Sequence, residues 1–316
     1  MTGACLAGLA LLAVTGCAVD QQASKREARA EAAYPPTGQL LQVDGRQVHA
    51  DIRGSGPDLV LLHGASGNSR DFTFDLVERL QDRYRVISFD RPGLGWTDDL
   101  GPRTDNPIAQ AELLRQAAAQ LDVRNPIVLG HSYGGAVAMG WALRDPGDTA
   151  AVVLLAGATY PWPGDLGNWY PFITSPVGKA AAVPLITAYA PESRVQDAIA
   201  GIFAPNPVPP GYADYVGAGL TLRRDSFINN AQQVDGLKPY VTAMAPRYPR
   251  LSMPIEIVHG DRDTTVGLDY HSRRMVQDLP NARLTVLPGV GHMPHHADPA
   301  AVVSAIDRAA ARAGLR

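Results

Sequence analysis

The chain has 316 residues, of which 46% are hydrophobic and 19% are charged, and its formal net charge is −3. This composition supplies enough apolar residues for one large core and excludes a disordered or fibrous chain. The 28 basic and 31 acidic residues nearly balance, and no run of Lys or Arg occurs, so we expect no nucleic-acid partner.

The N-terminus differs from the rest of the chain. Residues 4–19 are almost wholly apolar, and a polar stretch follows from Asp20. Such a run is typical of an export signal, and it is shorter than the roughly 20 apolar residues that a membrane-spanning helix needs. The segment from Val14 to Cys17 resembles the bacterial lipobox. We therefore predict an export or lipoprotein signal over residues 1–17, with a lipid attached to Cys17.

This signal predicts a location in the bacterial cell envelope, either anchored to a membrane surface or periplasmic. Residues 18–37 then read as a polar tether. No Lys or Arg precedes the apolar run, which departs from the usual export signal and leaves an incidental cysteine and a cytoplasmic location as the alternative. Because Cys5 and Cys17 are the only cysteines, the folded body has none for a disulfide, thiol catalysis or a cysteine metal site.

Short apolar runs alternate with amphipathic stretches from residue 39 onward. The first two runs flank Asp44 and Gly45, a dipeptide that favours a hairpin, so two antiparallel strands are expected first. The predicted strands are 40–43, 48–52, 58–62, 84–89, 126–129, 151–155, 255–258 and 283–287. The predicted helices are 71–80, 107–121, 134–144, 269–279 and 299–313. This alternation predicts an α/β fold with a mostly parallel, doubly wound sheet.

The alternation stops after residue 158 and resumes at residue 251, and Pro and aromatic residues are frequent in the interval. We predict a mainly helical cap over residues 159–250, inserted into an α/β core of residues 38–158 and 251–316. Ligands of open α/β sheets lie beyond the carboxyl ends of the strands. An insertion after the strand that ends at Leu155 would therefore cover the site.

The strongest motif runs from Gly130 to Gly135, which reads Gly-His-Ser-Tyr-Gly-Gly between a predicted strand and a predicted helix. A serine at such a turn takes strained backbone angles, and the glycines leave room for the bend. The helix that follows points its first amide groups towards charge on a bound acyl group. Ser132 is therefore the predicted nucleophile.

A serine nucleophile needs a histidine base, and that base needs a carboxylate. His292 follows the last predicted strand, where its side chain can reach the carboxyl edge of the sheet. Asp261 and Asp263 both follow the next-to-last predicted strand, and either can be the acid on this reasoning. The order serine, aspartate, histidine fits a hydrolase with its acid in that loop.

The remaining histidines give two alternatives. A structural role is expected for those in the hairpin, at a strand end and in a helix, which are His49, His259 and His271. His295 and His296 are rivals of His292, and the three together suggest a metal cluster. No matching set of carboxylates or histidines occurs elsewhere at ligand spacing, so we predict no metal and no cofactor.

Together these residues resemble the α/β-hydrolase superfamily from residue 39 to the C-terminus. Four motifs carry the resemblance: the His-Gly turn at 63–64, the Asp-x-Pro-Gly-x-Gly segment at 90–95, the elbow at Ser132 and the Gly-His pair at 291–292. The resemblance implies that Asp263 is the acid, by its spacing from Gly260, and leaves Asp261 in reserve.

The same resemblance implies an oxyanion hole made by the backbone amides of Ala65 and Tyr133. It also implies that His63 and Asp90 support loops near the site. A serine at the elbow implies an acyl-serine intermediate, which argues against the haloalkane dehalogenases and epoxide hydrolases of the family because they need a carboxylate nucleophile.

We therefore expect hydrolysis of a carboxylic ester in a small, fairly apolar substrate. The same triad allows a carbon-carbon bond hydrolase, a lactonase, an amidase, a perhydrolase or an acyltransferase, and a non-catalytic binding protein is the least expected alternative. The basic pair Arg223 and Arg224 could contact a substrate carboxylate, although such a pair is more often solvated. The sequence indicates no oligomeric state.

Aromatic residues of the cap are expected to line an apolar pocket or to pack the cap: Tyr160, Trp162, Trp169, Tyr170, Phe172, Tyr189, Phe203, Tyr212 and Tyr215.

Overall fold

The structure, a computed structural model, describes residues 2–316, with side chains described from Gly16 onward. One sheet of eight strands forms its centre. The strands are β1 Gln39–Val43, β2 Arg46–Arg53, β3 Asp58–Leu62, β4 Arg85–Phe89, β5 Ile127–His131, β6 Ala151–Leu155, β7 Ile255–Gly260 and β8 Ala282–Leu287. All eight predicted strands are present, with ends shifted by a residue or two.

The strands are ordered β1-β2-β4-β3-β5-β6-β7-β8. β2 is antiparallel to β1 and to β4, and the other neighbours are parallel. This confirms the predicted α/β class, with an antiparallel pair at one edge of an otherwise parallel sheet.

Fourteen α-helices lie in the described part of the chain. They are α1 Thr2–Ala33, α2 Arg70–Thr73, α3 Leu76–Leu80, α4 Pro107–Gln120, α5 Tyr133–Arg144, α6 Trp169–Thr174, α7 Val183–Tyr189, α8 Glu192–Phe203, α9 Tyr212–Tyr215, α10 Ala218–Thr221, α11 Arg224–Met244, α12 Arg274–Asp278, α13 Pro294–Ala297 and α14 Pro299–Arg312. The single helix predicted over 71–80 is two helices, because Asp75 has a φ of −148° that interrupts the helix.

Helices cover both faces of the sheet. Val60 and Leu62 of β3 pack into one large hydrophobic cluster, and Leu59 and Leu61 of the same strand pack into another. Side chains of a strand alternate between its faces, so a strand that contributes to both clusters is buried on both sides. Helices α6 to α11 lie in the chain between β6 and β7 and form the helical cap.

The stretch predicted as a polar tether is different in the structure. Most of it belongs to α1, which packs against α7 of the cap. Ala23 is fully buried, and Arg26 Nη1 donates hydrogen bonds to the carbonyls of Ala188 and Ala190, at 3.2 and 2.8 Å. Composition alone missed this docking because the contacts join residues more than 160 positions apart.

The side chains of residues 1–15, which include most of the predicted signal, lie outside the described residues. Cys17 is described, and it is an exposed free cysteine. None of the helices within the described residues combines the length and the apolar character needed to cross a membrane.

Candidate active site

Ser132 lies at a sharp turn between β5 and α5. Its φ of +52° and ψ of −120° are unfavourable for a residue with a side chain. A Cβ on Gly130 would lie 2.2 Å from the Gly134 carbonyl oxygen, and a Cβ on Gly134 would lie 2.1 Å from the Leu62 carbonyl oxygen. Only glycine fits at both positions, so the predicted strand-turn-helix arrangement at the serine is present.

Asp263 lies directly beside His292. Its Oδ2 atom is 2.7 Å from His292 Nδ1 and 3.1 Å from Nε2 of His259. Its Oδ1 accepts hydrogen bonds from the backbone amides of Thr265 and Val266, at 2.8 and 2.9 Å. Burial alone would raise the pKa of Asp263, but the hydrogen bonds from His259 and His292 outweigh burial and hold the pKa below its ordinary value.

The reserve acid has a different position. Asp261 is exposed, and its Oδ1 accepts a hydrogen bond from the Gly289 amide at 2.7 Å. Of the two aspartates that sequence reasoning left open, the structure therefore brings Asp263, and not Asp261, to His292.

Ser132 and His292 line the same cavity. The Ser132 hydroxyl has no hydrogen-bond partner among the residues with described side chains. Hydrogen bonds between a nucleophile and its base are often long in the absence of substrate and shorten when it binds. In the structure, Ser132 and His292 therefore line one cavity, but no hydrogen bond joins their side chains.

The amides predicted for an oxyanion hole, those of Ala65 and Tyr133, belong to residues that line this cavity as well. The loop that carries Ala65 is held from the cap, because Asn230 of α11 accepts a hydrogen bond from the Ser66 amide at 2.6 Å and donates to the Ser66 hydroxyl at 2.9 Å. Sequence reasoning missed Asn230, which has no distinguishing local pattern.

Arg91 is fully buried and joins this loop to the 90–95 segment. Its guanidinium donates to the carbonyls of His63 and Gly64, at 2.7 and 3.0 Å, and its amide donates to His63 Nε2 at 2.8 Å. The carboxylate of Asp90 accepts from the amides of Ser69 and Trp96. His63 and Asp90 thus lie where loop-supporting residues were expected.

A buried cluster around Asp71, which the sequence did not reveal, lies next to the site. The Asp71 carboxylate contacts three donors: His295 Nε2 at 3.1 Å, His296 Nε2 at 2.9 Å and the Tyr212 hydroxyl at 2.8 Å. His131 Nδ1 is 3.9 Å from the same carboxylate, and His131 Nε2 is 2.9 Å from the carbonyl oxygen of His292. The adjacent histidines in the sequence, His295 and His296, could have indicated this cluster, since buried imidazoles need hydrogen-bond acceptors.

Asp71, His131 and His295 place one possible ligand atom each within 4.8 Å of the others, so a carboxylate does accompany these histidines. The three hydrogen bonds to Asp71 already compensate its burial, and we interpret the cluster as a hydrogen-bond network. Burial would raise the pKa of Asp71, but His295 and His296 hold that pKa well below its ordinary value. Burial lowers the pKa of His131 and of His295.

The cavity above Ser132 has a volume of about 830 Å³ and is mostly apolar. Four of the predicted cap aromatics line it: Trp162, Trp169, Tyr170 and Tyr212. Phe203 packs inside the cap against Tyr212, whereas Phe172 and Tyr189 are exposed. A volume of this size holds a small molecule with an apolar chain.

The basic pair of the cap does not face this cavity. Arg224 is bound to Glu27 of α1, with two nitrogen–oxygen distances of 2.8 Å, and it also pairs with Asp20. Arg223 is 3.2 Å from Glu31 of α1. The structure shows neither a substrate contact in this cavity nor the solvated pair that the sequence favoured, because both side chains hold α1 on the cap.

A model of the α/β hydrolase fold family matches residues 57–299. The chain belongs to this family. Among solved structures, this α/β hydrolase is similar to a membrane phospholipase A described as a bacterial virulence factor, with a TM-score of 0.70, 21% identity and coverage of 98% of each chain. At this identity the likeness concerns the fold.

Three curated relatives show the range of the family. An uncharacterized protein of Mycobacterium tuberculosis is 28% identical, over 87% of this chain and 81% of that protein. A pimeloyl-[acyl-carrier protein] methyl ester esterase of Nitrosomonas europaea is 26% identical, over 82% and 98%. A 2-hydroxy-6-oxononadienedioate/2-hydroxy-6-oxononatrienedioate hydrolase of Pseudomonas putida is 24% identical, over 80% and 88%.

Proposed function

We propose that this α/β hydrolase cleaves a carboxylic ester of a small, fairly apolar substrate through an acyl-serine intermediate. The observation that carries the proposal is the 2.7 Å contact of His292 with Asp263 on the wall of a cavity that Ser132 also lines. A histidine oriented by a buried carboxylate beside a serine at a strained turn is the arrangement that nucleophilic acyl transfer needs.

In the proposed reaction Ser132 Oγ attacks the carbonyl carbon of the ester while His292 Nε2 takes the hydroxyl proton. The amides of Ala65 and Tyr133 donate to the oxyanion that forms. The bond to the alcohol then breaks, and the leaving oxygen takes the proton from His292. A water then attacks the acyl carbon while His292 Nε2 takes its proton. The bond to Ser132 Oγ breaks, Oγ takes the proton from His292, and the acid is released.

Asp263 has two roles in this proposal. It fixes the Nδ1–H tautomer of His292, so that Nε2 faces the serine, and it stabilises the charged imidazolium. Its own position is fixed by the Thr265 and Val266 amides and by His259. A carboxylate with this many donors stays ionised while His292 gains and loses its proton.

A carbon-carbon bond hydrolase is the second candidate, since the Pseudomonas putida relative acts on a dienedioate. Such a substrate carries two carboxylates. Among the described residues that line the cavity, Arg194 is the one Lys or Arg, and it is exposed. The apolar lining therefore favours an ester with an uncharged acyl chain over a dianionic substrate.

The test uses the full chain purified in detergent, because α1 is held on the cap and its removal would uncover buried residues. We expect a fluorophosphonate probe to label the protein and p-nitrophenyl butyrate to be hydrolysed, and we expect Ser132→Ala and His292→Ala to lose both activities. A folded wild type without labelling would contradict the proposal and favour a binding protein. Added alcohols or peroxide would reveal an acyltransferase or perhydrolase by a change of product.

The proposal includes an anchor at Cys17 and a place in the bacterial cell envelope. Two features support it: the lipobox-like segment that ends at Cys17, and the exposure of this cysteine. One or two acyl chains there would hold the enzyme on a membrane surface. Metabolic labelling with an alkyne fatty acid should mark the wild type and not Cys17→Ala, and label that persists in the variant would refute the anchor.

A further inference from the structure

The outer surface of the cap between Trp169 and Tyr189 is mostly apolar, and its polar residues Thr174, Ser175 and Lys179 are only partly exposed. Every residue of this stretch that is exposed is apolar or aromatic. The large ones, which we call the outer cap face, are between 46% and 67% exposed: Trp169, Phe172, Val177, Leu185 and Tyr189. They come from α6, α7 and the segment between them, and residues 178–182 of that segment pack against both helices.

This face is not the core of the cap. The inner sides of α6 and α7 supply Ile173 and Val183, which are fully buried and pack with Ala231 of α11. The two helices are therefore apolar on both sides, which is unusual for helices at a water-exposed surface. A contiguous exposed apolar patch marks a surface that contacts a partner or a membrane.

The N-terminal helix indicates which partner. α1 packs along α7, and Arg26 binds the carbonyls of Ala188 and Ala190 at the end of that helix. Cys17, the proposed site of lipid attachment, is exposed and belongs to this same helix. A second copy of the chain could cover the cap but would leave acyl chains at Cys17 in water, whereas a lipid surface accommodates both the anchor and the adjacent face.

We propose that the outer cap face lies on a lipid bilayer and that the cavity takes an amphiphilic acyl ester from that bilayer. Trp169 and Tyr189 suit the headgroup level, where aromatic rings with a polar atom concentrate. Phe172, Val177 and Leu185 reach into the acyl region. The surface binds independently of the anchor at Cys17 and orients the enzyme once it is anchored.

The cavity opens beside this face. Leu166 and Trp169 are 44% and 51% exposed, and both line the cavity above Ser132. A lipid acyl chain can therefore pass from the bilayer to the serine along an apolar path. This substrate class rests on the proposed esterase function, whereas the binding of the face to lipid does not.

Binding is tested on the full chain with Cys5→Ser and Cys17→Ser, which removes the native thiols and the site of lipid attachment. Val177→Cys in this background is labelled with an environment-sensitive nitrobenzoxadiazole dye and mixed with vesicles of phosphatidylcholine and phosphatidylglycerol. We expect a blue-shifted, brighter emission. The matched control is Leu40→Cys, which is 44% exposed and belongs to the edge strand β1 of the sheet rather than to the cap, and its emission should not change.

A second measurement changes the face itself. Phe172→Gln, Val177→Gln and Leu185→Gln together should weaken partition into the vesicles by about tenfold or more, since burial of each of these side chains contributes to binding. Leu40→Gln should have no such effect. None of the three residues lines the cavity, so the triple variant should still hydrolyse a water-soluble ester.

Two results would overturn the proposal: unchanged emission at Val177→Cys with vesicles present, or a dimer in lipid-free solution that the triple variant abolishes. The latter would assign the face to a second copy. Vesicle binding needs no turnover, so its failure is distinct from a failure of fluorophosphonate labelling. If the triple variant loses turnover of esters carried in vesicles but keeps turnover of a soluble ester, this result would support the proposed substrate class.

Discussion

The hydroxyl of Tyr212 lies 2.8 Å from the carboxylate of Asp71, and this hydrogen bond joins the cap to the core next to the active site. Asp71 also binds His295 and His296, which follow His292 by three and four residues. The position of the cap and the position of the proposed base are therefore linked through one buried carboxylate. Burial, and secondarily the charge of Asp71, raise the pKa of Tyr212 well above its ordinary value.

The first prediction concerns this link. Tyr212→Phe should lower the free energy of unfolding by about 1.5–3 kcal/mol, because the lost hydrogen bond is to a charged, buried group. Tyr215 is the matched control, since it belongs to the same helix and its hydroxyl lies 3.1 Å from the hydroxyl of Thr73 in α2. Tyr215→Phe should cost about 0.5–1.5 kcal/mol.

Urea unfolding measures both variants, and turnover of a soluble ester shows whether the link reaches His292. We expect Tyr212→Phe to lower kcat and Tyr215→Phe to leave it close to that of the wild type. Equal effects of the two substitutions on stability and on kcat would mean that Asp71 contributes no more than a neutral cap contact does.

The second prediction separates the two aspartates of the β7 loop. Asp263→Asn should lower kcat by about 10⁴-fold, because an amide cannot fix the same tautomer of His292 or stabilise its charge. Asp261→Asn is the same substitution two residues away, and among the residues with described side chains the Asp261 carboxylate accepts a hydrogen bond only from the Gly289 amide. Its kcat should change by less than about tenfold, since no contact with His292 is lost. A comparable loss in both variants would contradict the assignment.

Much of the fold could be predicted from sequence because its signals are local. The central parallel strands are short apolar runs, and the first two strands flank a hairpin dipeptide. The serine turn is a contiguous motif whose glycines are required by contacts within a few residues or with the adjacent strand. The aspartate was the exception. Spacing within one loop left Asp261 and Asp263 equivalent, and the resemblance to the family was needed to choose between them.

The contacts that sequence reasoning missed join distant parts of the chain. Asp71 and His295 are 224 positions apart, and Ser66 and Asn230 are 164 apart, so neither pair leaves a periodic or local pattern. The docking of α1 was missed for the same reason. In the sequence the acidic residues of α1 are typical of a solvent-exposed helix. The structure is needed to show that Glu27 pairs with Arg224.

The third prediction tests the turn at Ser132. Gly134→Ala should destabilise the fold by about 1–3 kcal/mol or more, because its Cβ would lie 2.1 Å from a backbone oxygen of β3 that cannot move away. Gly147→Ala is the control, since its Cβ would meet nothing within 4 Å. Its effect should stay within about 0.5 kcal/mol. Urea unfolding of both variants checks this, and similar midpoints would show that the turn can relax.

The fourth prediction is a loss of stability in mild acid. Burial lowers the pKa of His63 and of His271 to about 4. In the unfolded chain these imidazoles have their ordinary pKa of about 6.5, so between these values the unfolded state binds more protons than the folded state. Stability is therefore fully present above about pH 6.5 and falls as the pH is lowered towards 4.

Each of these histidines contributes up to about 1.4 kcal/mol per pH unit in this window. His271→Asn isolates one of them, because an amide oxygen can replace Nδ1 as acceptor for the Thr159 and Tyr160 amides. Urea unfolding between pH 7.5 and 4.5, a range set by these two pKa values, should give a shallower pH dependence for the variant. Since no buried histidine is left to protonate at that position, a slope equal to that of the wild type would mean that His271 is charged or accessible in the folded protein.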